Sequence, residues 1–171
     1  MSIVFSIVAI FLLIVLSAFF NGSETSLTAA SRARMHALEE DGNASAALVN
    51  RVLSRPEKMI GTVLLGNTLV DVLAAALASN VAVHLYGEVG VAYATGLITI
   101  LIVIFAAVLP KTYALAYADR VALIVAPPMR GLIYILTPFT KAIEYVVRNL
   151  LKLTPGKADD EANILAAHEE I

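Results

Sequence analysis

Three stretches of the chain are nearly free of charge, and the polar residues crowd between them. Residues 1–23 carry no charged side chain, 59–87 carry Asp71 alone, and 89–110 carry none. A hydrocarbon core of about 30 Å takes roughly 20 helical residues, so each stretch reads as a transmembrane helix. The spans are placed near 3–22, 59–82 and 90–110. Between the first two the pattern changes: Ala44, Ala47, Leu48, Arg51, Val52 and Arg55 recur at helical spacing after an Asp41-Gly42-Asn43 turn. Two helices joined at that turn, the second amphipathic, are therefore expected within 27–55. The stretch 121–140 is apolar, but Pro127-Pro128 followed by Arg130-Gly131 predicts a break into two short helices. Prolines remove donors that lipid does not replace, so this part is expected at the membrane interface rather than across it. The predicted class is an all-α integral membrane protein: three transmembrane helices plus cytoplasmic juxtamembrane belt helices over 27–55 and 121–152.

Composition supports the membrane reading. Hydrophobic residues make up 59% of the chain against 15% charged, too little polar surface for a water-soluble domain of this size. A cleaved leader is disfavoured, because the first apolar run is long and lacks a basic segment before it. Arg32, Arg34, Arg51, Arg55 and Lys58 lie between the first two spans, and Lys111, Arg120, Arg130, Lys141, Arg148, Lys152 and Lys157 follow the third. The segment His84–Gly90 has neither Lys nor Arg. The positive-inside rule then places the N-terminus outside and the C-terminus in the cytoplasm, as expected of a multi-pass protein of the cell (inner) membrane. There is no cysteine, which excludes disulfides and thiolate metal sites.

Polar groups inside spans are costly, so each is a functional candidate. Ser17 and Asn21 share a helix face. Gly22 permits a break after them, with Ser23 as a cap and Glu24 next to it. In the second span Gly66 and Asn67 interrupt apolar sequence, and Asp71 lies one turn beyond Asn67. Ala74/Ala78 and Ala75/Ser79 have the small-residue spacing of close helix packing. In the third span Pro110 lacks the donor that would serve the Ala106 carbonyl, and Lys111 follows, long enough to reach the headgroups. Hydroxyl, amide, carboxylate and carbonyl oxygens suit a hard cation such as Mg²⁺ or Na⁺ and suit zinc or copper poorly. No nucleophile–base pair, phosphate loop or basic aromatic patch is present, so neither an enzyme nor a nucleic-acid binder is expected.

The segments Ser17-Ala-Phe-Phe-Asn-Gly-Ser-Glu-Thr-Ser, Leu65-Gly-Asn-Thr-Leu-Val and Leu109-Pro-Lys, in this order, resemble the transmembrane domain of the CNNM/CorC family of magnesium transporters. The likeness runs from about Leu13 to Lys152. It implies a homodimer in the lipid bilayer, each subunit holding Mg²⁺ in a cytoplasm-facing cavity for efflux by alternating access, with Na⁺ as a coupling ion. By motif, the implied metal residues are Ser17, Asn21, Ser23, Gly66, Asn67 and position 107. Glu24, Asp71, Ala106, Pro110 and Lys111 would line the cavity or couple its states. The family reads Gly-Glu or Ala-Glu two residues before Leu109's equivalent, whereas Ala107 stands here. The rest of that span fits, which favours a replaced glutamate over a member built without one and implies impaired magnesium binding and transport. The acidic end, KADDEANILAAHEEI, resembles the start of a linker from residue 154 to a paired CBS module that binds nucleotide and is absent here. Two other readings remain, a Mg²⁺ sensor without transport and a structural dimerisation anchor for a cytoplasmic module.

Overall fold

The computed structural model describes residues 3–152, so the expected linker from 154 onward lies outside the described residues. All regular structure among the described residues is helical: α1 (Ile3–Ala29), α2 (Arg32–Glu40), α3 (Ala44–Leu53), α4 (Pro56–Leu101), a π-helical segment (Ile102–Val108), α5 (Leu109–Ala116) and α6 (Ala118–Lys152). The chain divides into two compact units, Met1–Leu136 and Thr137–Ile171, the second described only as the continuation of α6.

Helix α1 does not stop at Gly22 as expected. A glycine costs a helix only about 1 kcal/mol, and the hydroxyls beyond it bond within the helix: Thr25 to the Asn21 carbonyl at 3.0 Å, Ser26 to that of Ser23 at 3.2 Å, Thr28 to that of Glu24 at 2.8 Å. Ser23 is thus an interior residue, not a cap. The cap falls at Ser31, whose hydroxyl accepts from the Arg34 N–H at 3.4 Å, and Asn43 caps α3 through the N–H groups of Ser45 and Ala46 at 3.0 and 3.1 Å. Both helices expected within 27–55 are therefore present, each started by a side-chain oxygen that satisfies free N–H groups.

The second and third predicted spans are joined without a loop. Helix α4 breaks at one residue, Gly87, with φ 68° and ψ −162°, a backbone region open essentially to glycine alone. The chain reverses there. Both Asn67 and Pro110 lie beside the same turns of α1, whereas a straight helix would hold them about 65 Å apart. The close approach of Gly90 to the Ala82 carbonyl fits this turn-back, since a Cβ on Gly90 would sit 2.9 Å from that oxygen.

Helix α6 runs unbroken through Pro127, Pro128 and Gly131, against the predicted pair of short helices. Proline keeps a helical φ and forfeits a donor, and the loss is offset by the stripe that brackets the pair. Ala122, Val125, Ala126 and Met129 recur at helical spacing and are all buried. They join Leu27, Met35, Val49 and Met59 in one apolar core at the base of the bundle. Asp119, in the first turn of α6, fastens this base: its carboxylate accepts the Ser31 N–H at 2.8 Å and meets the Arg34 guanidinium at 3.2 Å.

Above the base the outward faces are apolar and exposed, among them Phe11 (65%), Leu64 (67%) and Phe105 (52%). Three helical stretches, Ile3–Ala29, Pro56–Ala116 and Ala118–Ile143, are long and apolar enough to cross a membrane. The middle one, folded at Gly87, contains two of the predicted spans.

Candidate polar seam between α1, α4 and the π-helical segment

Where α1 meets the first arm of α4, two predicted site residues close on one oxygen of a third. The Ser17 hydroxyl donates to Asn67 Oδ1 at 3.0 Å, and the Asn21 amide donates to the same oxygen at 3.1 Å. The Asn21 amide also reaches the Ser17 carbonyl at 3.1 Å. Ser17 and Asn21 are buried, and Asn67 is partly so. Gly66 permits this approach: any Cβ there would overlap the ring of buried Phe20, the residue next to Asn21. The glycine-asparagine pair therefore works as a unit, the first residue admitting α1 and the second receiving its donors.

Helix α1 also packs against the π-helical segment and α5. The wide winding over Ile102–Val108 was not foreseen; the sequence signalled only a break at Pro110. Five-residue pairing, as in the bond from Leu109 N–H to the Ile104 carbonyl, replaces the four-residue pairing that had singled out Ala106. Such segments recur where a helix is shaped for a site. Ala106 is fully buried, Ala107 half-buried, and Pro110 lies opposite Gly22, whose Cβ would stand 3.7 Å from the proline ring. Lys111 pairs across the same contact with Glu24 at 3.8 Å. The two had been grouped by sequence without that pairing being drawn.

Three buried oxygens in the described residues make no protein hydrogen bond: Ser23 Oγ, Thr62 Oγ1 and Asp71 Oδ1. Ser23 Oγ and Asp71 Oδ1 thus take no part in the trio's hydrogen bonds. The seam offers hydroxyl, amide and carbonyl oxygens, hard donors that fit Mg²⁺ or Na⁺. Among the described residues no three His, Cys, Asp or Glu side chains gather in a group that could hold a metal. The wide groove of about 630 Å³ near the Gly87 turn is lined mostly by apolar side chains such as Ile10, Leu85 and Leu97, with Tyr86 and Tyr93 among them.

A helical bundle with outward apolar faces and an oxygen-lined internal seam defines a multi-pass membrane domain. The chain belongs to the family of the Cyclin M transmembrane N-terminal domain, whose profile matches residues 7–171. It is 36% identical over 156 residues to the UPF0053 inner membrane protein YfjD of Escherichia coli, covering 91% of this chain and 36% of that protein. A UPF0053 protein of Haemophilus influenzae is 33% identical over 156 residues, covering 91% of this chain and 37% of its own length. A chloroplastic DUF21 domain-containing protein of Arabidopsis thaliana is 33% identical over 146 residues, 85% of this chain and 22% of its own. The chain thus spans little more than a third of the two bacterial relatives.

Proposed function

We propose that this domain binds Mg²⁺ at the Ser17–Asn21–Asn67 seam and moves it across the membrane. The observation that carries the reading is the convergence of two α1 donors on one α4 oxygen, beside a π-helical segment, at membrane depth. Hydrogen bonds that hold such oxygens together also pre-position them, which lowers the ordering cost of binding a cation. Family membership supports magnesium as cargo. The working picture is a homodimer with its N-terminus outside and α2 and α3 at the cytoplasmic face. Efflux would proceed by alternating access with Na⁺ as counter-ion, and in longer relatives a nucleotide-binding module would follow. One observation favours a second reading, a scaffold without transport: the trio satisfies its own hydrogen bonds and serves equally well as glue between helices.

Thermal unfolding in detergent with rising Mg²⁺ separates the two. A ligand that binds the folded state alone stabilises by about 2.7 kcal/mol at a hundredfold excess over Kd. The transport reading expects a Mg²⁺-dependent rise that Ser17→Ala abolishes, and Mg²⁺ flux in reconstituted vesicles. A chain that ignores Mg²⁺, with Ser17→Ala merely lowering the melting temperature, establishes the scaffold.

A further inference from the structure

A divalent cation held by neutral oxygens alone at membrane depth leaves its charge uncompensated, which is costly in low dielectric. Ser17, Asn21, Asn67 and Ala107 bring no charge. Glu24, the nearest acid on α1, is taken up by Lys111 at 3.8 Å. From Lys58 to Gly87 the sequence holds a single acid, Asp71, and from Val89 to Ala118 it holds none.

Resting on the magnesium reading above, we propose that Asp71 supplies the carboxylate of the cation site. Four residues after Asn67, it lies on the same face of α4, and helical side chains lean toward the helix N-terminus. Its carboxylate thus tilts back over the turn whose amide oxygen receives Ser17 and Asn21. Asp71 Oδ1 is buried and makes no protein hydrogen bond. A structural carboxylate at such depth would be expected to hold a donor from a neighbouring helix, whereas a cation ligand keeps that oxygen for the ion. The same charge can be offered from across the seam, since half-buried position 107 sits on the π-helical segment that packs against α1.

The test compares Mg²⁺-dependent melting of four chains: the parent, Asp71→Asn, Ala107→Glu, and the double variant. The parent is expected to respond. Asp71→Asn should need about tenfold more Mg²⁺ or beyond, as a charge-assisted ligand becomes a neutral one, while melting without added Mg²⁺ stays equal or rises. The double variant should regain most of the parent's response, a recovery that a merely structural Asp71 does not produce. If Asp71→Asn responds as the parent does, the assignment falls and the magnesium reading stands. A silent parent beside a responsive Ala107→Glu chain also overturns Asp71 as a sufficient carboxylate. Silence in all four chains overturns the magnesium reading itself, and the assignment with it.

Discussion

The helical run from Pro56 to Ala116 is interrupted at Gly87 and again before Pro110, and the two interruptions have opposite surroundings. Around Gly87 there is open space, with no atom beyond the adjoining chain within 4 Å of where a Cβ would stand. Its backbone alone carries the conformation, and the result is a change of direction. Before Pro110 the chain keeps its direction and changes its winding, over seven residues that pack against α1. There the neighbours decide: Gly22 faces the proline, and Glu24 meets Lys111. The first break makes the topology; the second shapes a wall of the seam. A glycine in open space and a proline against a glycine thus mark different tasks, though both read in sequence as a stop.

Substitutions at the two breaks should separate those tasks. Gly87→Val has the largest expected effect on stability, a loss of about 1–3 kcal/mol from forcing a β-branched residue to positive φ. Thermal unfolding in detergent should show that loss with the Mg²⁺ response retained. A loss of the response as well would mean that the turn and the seam are coupled. Pro110→Ala should act the other way. A restored N–H adds about 0.5–1.5 kcal/mol at most, while relaxation of the π-helical turns weakens the response to Mg²⁺. An unchanged response would show that the winding does not depend on proline. Gly22→Ala is the mildest, because its Cβ would meet Pro110 atoms at ordinary distances of 3.7 and 3.8 Å. A change within about 0.5 kcal/mol is expected, and a larger loss would reveal a tighter contact between α1 and α5.

Much of the seam was legible because polar residues in apolar runs stand out by their cost. Ser17, Asn21 and Asn67 were marked on that ground, and the structure joins all three. Helices α2 and α3 were legible from periodicity and an Asp-Gly-Asn turn. The failures have physical causes. At Pro127-Pro128 local propensity was overruled by a buried stripe on both sides, which no local rule weighs. The π-helical segment packs against α1 over a contact distant in sequence, so Pro110 announced that something changes and not what. Asp119 went unnoticed because its partners Ser31 and Arg34 are 88 and 85 residues away, and a carboxylate outside an apolar run attracts no attention.

The one-residue reversal at Gly87 has a consequence for how the molecule meets the watery phases. Proteases cut, and binders read, extended backbone, which concentrates in loop tips. The reversal offers no such loop, whereas the other end carries the junctions at Ser31, Asp41–Gly42 and Ser54–Arg55. Together with Tyr117 between α5 and α6, those junctions offer non-helical backbone as handles for cleavage or capture. A probe in solution therefore meets these two ends of the bundle on unequal terms.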